Sequence, residues 1–422
     1  MFDVTEKLAM QGGRPAVHTA IPPRKRHGDA EKRYLNEVIE SDILFFYLGT
    51  KVRELERRFA ALYGRKHCIA CSSGTAAVHL AFGALQLPAG TEVITSAITD
   101  MGSLTGMLYQ GLIPVFADVD PETLNMDPDA VRAAVTDRTG AILAVHHGGL
   151  AADLDALMAI GRERGIPVIE DCAQAYGCVW DGELVGRRGV ISCFSLNHFK
   201  HISSGSGGMI LTDDDRLRYV ASLFLDKCYQ REEGIRNPFF LAPNYQMTEM
   251  QGAVALAQLE KLDGFLSRRL TAANRLADQL RGIEGISLPR VPPQAIHSYF
   301  LFLFRVDCGH FSCDASEFAA ALRAEGVNAK ANMITGGRPV YLYDIFQNGS
   351  LFPGQRFPRD YPKGLCPIAE KAFDEWIVLE LLENYTEQNV DEMAHAVGKV
   401  AHHFSAAVPA GAQPGALGSA KS

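Results

Sequence analysis

The sequence has no apolar run approaching the length of a bilayer span, so neither a transmembrane helix nor a membrane partner is expected. Its start, Met1-Phe2-Asp3, lacks the basic-then-apolar pattern of a secretory leader, and a cytoplasmic protein is expected. Positive charge is not in excess: 41 Lys and Arg face 49 Asp and Glu, a net charge of −8, which gives no support to nucleic-acid binding. A short basic cluster, Arg24-Lys25-Arg26, reads as a solvated surface patch. Nine cysteines leave at least one unpaired, which argues against a disulfide framework. Cys68-Ile69-Ala70-Cys71 has C-x-x-C spacing, and Cys308 and Cys313 could be its metal partners. Zinc pairs sit on turns, however, whereas this pair flanks apolar residues in a strand-like segment. Buried reduced thiols and no metal site are therefore expected. No internal repeat is visible.

What is present is an ordinary globular composition: 422 residues, 47% hydrophobic and 21% charged, enough for two domains. The first thirty residues, with Gly12-Gly13 and Pro22-Pro23, are expected to wrap over the surface. Val52, Leu55, Phe59 and Leu62 repeat at three and four residues, which predicts a helix stopping at Gly64. Short apolar strands then alternate with helices. Strands are expected at Cys68–Cys71, Glu92–Thr95, Ile113–Phe116, Ala141–Val145 and Pro167–Ile169, with helices at Thr75–Leu85 and Leu154–Arg164. Such alternation predicts a mainly parallel sheet covered on both faces. Beyond about residue 245 the pattern changes. Met247 to Leu280 reads as one long helical stretch, Tyr299–Val306 as a buried strand, and Ala315–Glu325 and Gln388–Phe404 as helices. The expected division is 1–250 for a large domain with an N-terminal arm and 251–404 for a small one. The Ala-, Gly-, Pro- and Ser-rich tail 405–422 is expected to be disordered.

The chemistry is concentrated at strand ends. Val168-Ile169-Glu170-Asp171 closes a buried strand with a carboxylate, where ligands of open α/β sheets bind. Lys200 follows a second apolar strand and precedes the turn Gly205-Ser206-Gly207-Gly208, among small residues that leave room for a ligand. A strand-end Asp with a strand-end Lys is the pair that pyridoxal 5'-phosphate (PLP) chemistry needs. The lysine binds the aldehyde and the aspartate keeps the pyridine nitrogen protonated. Lys200 would need an environment that lowers its pKa from about 10.4, and could then also shuttle a proton at the substrate carbon. Gln174 is within reach of the ring. Ser72-Ser73-Gly74-Thr75 joins a strand to a helix and could cradle a phosphate at the helix N-terminus, with Ser195 adding a hydroxyl. The alternatives stay open here: Ser73 or Thr75 as a plain N-cap, and Asp171 as the cap of a turn.

Together these residues resemble the DegT/DnrJ/EryC1/StrS family. The resemblance is carried by Ser73-Gly74-Thr75, Glu170-Asp171-Cys172-Ala173-Gln174, the Phe194-Ser195 to Gly208 segment around Lys200, and Asn244-Tyr245-Gln246-Met247-Thr248-Glu249-Met250-Gln251. It runs from about Gly12 to Val400. It implies the PLP-dependent transferase type I (aspartate aminotransferase-like) fold: a mainly parallel seven-stranded sheet between helices, plus a smaller C-terminal α/β domain. It also implies an aminotransferase that stores the amino group of glutamate or glutamine as pyridoxamine phosphate. The group would pass to a keto-sugar, free or nucleotide-linked, or a keto-cyclitol, in amino-sugar, polysaccharide or natural-product biosynthesis. By that similarity Lys200 is catalytic, and Ser73, Gly74, Thr75, Asp100, Asp171, Gln174, Ser195 and Asn197 hold the cofactor. Asn244 would reach the phosphate of the neighbouring subunit in a homodimer with shared active sites. Pocket candidates are His146, His147, His198, His201, His297 and Tyr299.

Three positions depart from the family pattern. Asp100 or Met101 stands where an aromatic ring usually covers the cofactor; Ser206 replaces a glutamate; Gln246 replaces an arginine. The family also contains dehydratases in which a histidine replaces the lysine. Here the spacing to Gly205 puts Lys200, and neither His198 nor His201, at the anchoring position. A catalytically silent relative is the remaining alternative, resting on the missing aromatic alone.

Overall fold

The computed structural model describes residues 4–331, 336–348 and 357–406. From residue 407 onward the C-terminal tail lies outside the described residues, and Ser405 and Ala406 close the last helix, Glu387–Ala406.

The main sheet has seven strands: β1 (His67–Cys71), β2 (Glu92–Ser96), β3 (Ile113–Ala117), β4 (Thr139–Val145), β5 (Val168–Asp171), β6 (Ile191–Ser195) and β7 (Gly208–Thr212). Their spatial order is β1-β7-β6-β5-β4-β2-β3. The run from β3 through β2, β4 and β5 to β6 is parallel, and β7 is antiparallel to both of its neighbours. Strands β2, β3, β5, β6 and β7 are buried along their whole length, because helices cover both faces. Alternation along each strand divides the core. Val93, Leu143 and Ile191 face the helices Gly74–Leu85, Met101–Tyr109 and Asp215–Leu225 through Ala77, Leu80, Leu104 and Phe224. Ile94, Ile142 and Val168 face the helix Leu154–Arg164, while Phe194 and Met209 meet Leu55 and Phe59 of the helix Lys51–Tyr63. This is the expected α/β architecture.

A second sheet is formed by β8 (Ile286–Ser287), β9 (Phe302–Val306), β10 (Ala329–Lys330) and β11 (Trp376–Leu379). Its order is β8-β9-β11-β10 and all of its pairings are antiparallel. It has its own core, with Phe304, Phe318, Leu322 and Val397, joined by Leu8 and Ala16 from the N-terminal arm.

Three expectations are corrected. The long stretch after Met247 is two helices, Glu249–Leu259 and Leu262–Leu280. The break at Glu260-Lys261 turns the Lys261 ammonium onto Glu31, 2.6 Å away, and onto the Arg26 carbonyl at 3.1 Å. The strand expected from Tyr299 starts only at Phe302. Residues 297–301 are instead a strap, in which Ser298 N and Leu301 N each donate at 2.9 Å to the carbonyls of Gly149 and Gly148. Tyr299 sits there at φ +49°, an uncommon backbone for a bulky residue. Finally, Arg24-Lys25-Arg26 is not a solvated patch: Arg24 pairs with Glu383 at 2.8 Å and Arg26 is only 5% exposed.

Candidate active site

Parallel strands end together, so the residues that follow β1, β2, β4, β5 and β6 gather at one edge of the sheet. After β1, Ser73 caps the helix Gly74–Leu85, its hydroxyl accepting from Ala76 N at 3.0 Å. The N-cap reading of Ser73 is thus realised, and the helix start it fixes presents Gly74 and Thr75 beside Ser195. A Cβ at Gly74 would lie 2.6 Å from Ser195 Cβ and 2.8 Å from its Oγ, so only glycine permits this approach. The result is a cup of small residues and free-facing helix N–H groups, which suits a phosphate.

After β2 the chain forms the helix Met101–Tyr109. Asp100 is its N-cap, accepting from Gly102 N at 2.8 Å, so the carboxylate is held in place rather than swinging free. One turn on, Ser103 donates to Asp171 Oδ2 at 2.6 Å, and Thr99 Oγ1 lies 2.7 Å from the Ser103 hydroxyl. Ala173 N donates to Asp171 Oδ1 at 3.1 Å. Asp171 is therefore fixed at both oxygens at the end of β5. Ser103 was missed in the sequence; its only signal is its position one turn into a helix that opens at the strand end.

Lys200 lies on the turn after β6, half-buried, with its Nζ 4.5 Å from the centroid of the Phe300 ring. Burial lowers its amine pKa below the ordinary lysine value, while the nearby carboxylates of Asp171 and Asp100 pull it back up. Phe300 is the second residue that sequence reading missed, because the strap places it across 100 positions. Gly149, at φ +94°, admits the strap: a Cβ there would come within 2.7 Å of Ser298 Oγ and 2.8 Å of Phe300 N. Gln174 Oε1 accepts from Gly148 N at 2.8 Å, which leaves its NH2 to meet a ligand.

The other candidates fall into distinct groups. His146 is fully buried and both of its ring nitrogens are used, against Glu170 Oε2 at 3.2 Å and Ala152 N at 3.1 Å. Glu170 also accepts from Gly186, Arg188 and Gly189, so His146 and Glu170, which lie beside Cys172, are both hydrogen-bonded within the protein. His147 and His297 are buried together, and burial lowers their pKa values to about 4 and about 3. Both His147 nitrogens lack a partner among the described residues; His297 stacks on Tyr299 with ring centroids 4.1 Å apart. His201 is buried against Ser298 O at 3.2 Å, its pKa driven well below normal by burial. His198 and Asn197 are exposed, and Asn197 caps the Lys200 turn by accepting from Phe199 N and Lys200 N. Asn244 is exposed and bridges Asp226. Gln246 pairs with Cys71 through its main chain, its Nε2 buried without a partner among the described residues.

The profile of the DegT/DnrJ/EryC1/StrS aminotransferase family matches residues 25–398, and the chain belongs to that family. It is an enzyme of the PLP-dependent aminotransferase class. The chain is 32% identical over 380 residues to the spore coat polysaccharide biosynthesis protein SpsC of Bacillus subtilis (strain 168), covering 88% of this chain and 94% of that one. An aminotransferase from Psychrobacter cryohalolentis superposes with a TM-score of 0.83 at 27% identity, over 91% of this chain and all 100% of that one. DesI, whose crystal structure was determined in the presence of its TDP-sugar product, gives a TM-score of 0.81 at 25% identity, over 94% and 97% of the two chains.

Proposed function

We propose that the protein moves an amino group from glutamate or glutamine to a keto-sugar, free or nucleotide-linked, or a keto-cyclitol. The single observation that carries this reading is the half-buried Lys200 amine, made less basic by burial and set between Asp171, Asp100 and the Phe300 face. The residues fit PLP: the close Gly74–Ser195 approach at a helix start leaves a cup of small residues for a phosphate, and Asp171 stands as a fixed carboxylate for a pyridinium nitrogen. Bound PLP would supply an electron sink for the carbanion formed when the amino group is transferred. Asp171 would hold the ring nitrogen; Gly74, Thr75 and Ser195 the phosphate; and the Gln174 amide the ring oxygen. Lys200 Nζ would anchor the aldehyde, and its amine, when free, would carry a proton to or from the reacting carbon. Asp100, held by its helix, offers a carboxylate where an acceptor hydroxyl can donate.

Exposed apolar residues support a homodimer with shared sites. Leu44, Leu48, Phe239 and Leu241 are solvent-facing, Leu241 at 95%, on neighbouring segments tied by Glu249 N to Leu44 O at 3.1 Å. Asn244 lies on the same segment and would enter the partner's site. A cytoplasmic setting and a division into cofactor-binding and smaller C-terminal domains belong to the same reading.

The test runs the reaction in reverse. A panel of amino-sugars, nucleotide-linked amino-sugars and aminocyclitols is offered with 2-oxoglutarate, and glutamate formation is measured. Stoichiometric ketone and glutamate from one member identify the acceptor class, and Lys200→Ala is expected to abolish the product. Appreciable transamination by Lys200→Ala would sink the assignment. Loss of water from a sugar without any aminated product would transfer it to the dehydratase reading.

A further inference from the structure

Arg26 is a buried cation with no carboxylate at ion-pair distance among the described residues. Glu383, whose charge it feels, is shared by Arg24 and Arg269, which donate to it at 2.8 and 2.9 Å. The Arg26 guanidinium turns instead to the main chain of the lysine-bearing turn. Its Nη1 donates to the His198 carbonyl at 2.7 Å, and its Nη2 donates to the carbonyls of Lys200 at 2.7 Å and His201 at 2.9 Å. Burying a guanidinium is costly, and three charge-assisted bonds to one turn are what offsets it here. The arm that carries Arg26 is itself tied down, since Gln258 Nε2 and Lys261 Nζ donate to the Arg26 carbonyl at 2.9 and 3.1 Å. The break between the two helices is what brings Lys261 there.

We propose that Arg26 is the positioning residue for Lys200, fixing the 198–201 turn so that the amine stays aimed between Asp171 and the Phe300 ring. The inference rests on the reading of Lys200 as the cofactor-anchoring amine. On its other side the turn is closed by Lys200 N donating to the Asn197 carbonyl at 2.9 Å. Across the gap, Arg269 Nη1 donates to the carbonyls of Tyr299 and Phe300 at 3.3 and 3.4 Å and so holds the facing strap. Two arginines thus grip the main chain of two opposed loops, and the Lys200 amine and the Phe300 ring meet between them. A lysine attacks an aldehyde only when deprotonated, and the burial that favours that form depends on the turn staying closed. The arm is therefore part of the active site, although Arg26 itself touches neither cofactor nor substrate.

The experiment titrates apo-protein with PLP across a range of pH and follows the visible band of the lysine-bound cofactor. Wild type, Arg26→Ala and Arg26→Lys are compared, with thermal stability recorded for each. Releasing the turn exposes the amine to water and raises its pKa, so in Arg26→Ala the band should need higher pH and the PLP Kd should rise about tenfold or more. Arg26 lines an open cleft of about 450 Å3 with Lys25, His27 and Phe265, so guanidinium can reach the vacated space. Millimolar guanidinium should move the midpoint of Arg26→Ala back toward wild type. Arg26→Lys keeps the charge without the fork and should fall between the two, which also covers an Arg26→Ala protein that does not fold. A midpoint equal to wild type in the folded variants, with only the melting temperature lowered, would mean a purely structural arginine and overturn the proposal. A wild-type protein showing no lysine-bound band would overturn the Lys200 reading instead, and this one with it.

Discussion

Replacing Ser103 by alanine removes one hydroxyl and isolates what holds Asp171. Ser103 Oγ donates to Asp171 Oδ2 at 2.6 Å from a buried position in the helix Met101–Tyr109, where alanine is the better helix former. The helix should survive, so the change acts on the carboxylate rather than on the fold. A buried hydrogen bond to a charged acceptor is worth about 1.5–3 kcal/mol, which corresponds to a rise of about ten- to hundredfold in the PLP dissociation constant. Thr99 loses its 2.7 Å partner at the same time and adds to the disorder around Asp171. The assay is an absorbance titration of apo-protein with PLP, comparing wild type, Ser103→Ala and Ser103→Thr, with melting temperatures measured without cofactor. Ser103→Thr keeps the hydroxyl and should bind close to wild type. An Ser103→Ala constant within about threefold of wild type would refute the view that this bond organises Asp171 for the ring nitrogen.

Three further predictions follow from the geometry. Gly74→Ala forces a methyl against Ser195, so it should cost about 1–3 kcal/mol of stability and erase the preference for PLP over pyridoxal, checked by thermal denaturation and by competitive titration. His147 and His297 have folded-state pKa values lowered to about 4 and about 3, so the unfolded chain binds more protons at acid pH. The stability they allow is complete above the unfolded value of about 6.5 and declines below it, by about 2 kcal/mol each at pH 5. Denaturant midpoints measured across this range should fall with pH, and His147→Leu should flatten the fall, because neither of its ring nitrogens has a partner to lose. Leu241→Asp should shift the proposed dimer toward monomer in light scattering and lower activity in parallel; a wild-type monomer at micromolar concentration would contradict the shared site.

The elements that position the site were legible where period and burial agree. The helix Leu154–Arg164 matches its expected bounds, and β1 to β4 lie within a residue or two of theirs, because buried parallel strands are short unbroken apolar runs. The strand-end Asp171 and Lys200 could be read for the same reason: each follows such a run. What escaped depends on contacts distant in the chain. Arg26 looks like any exposed basic residue until it meets carbonyls more than 170 positions away. The helix break at Glu260-Lys261 carries no glycine or proline, and is set by Glu31 and the arm. Tyr299 and Phe300 have the composition of a strand, yet the N–H groups of Ser298 and Leu301 on either side of them go to the Gly149 and Gly148 carbonyls, and their own carbonyls accept from Arg269. His146 has the composition of a ligand but is consumed by Glu170 and Ala152, a fate no spacing rule announces.

The central claim is that Lys200 anchors PLP in a site that accepts an amino group, and the near-ultraviolet and visible spectrum of the PLP-loaded protein tests it most directly. Adding glutamate or glutamine should bleach the band of the lysine-bound cofactor and raise the pyridoxamine phosphate band near-stoichiometrically, with 2-oxo acid released. A lysine-bound band that responds to neither donor would contradict the proposed half-reaction, and no band at all would contradict the site.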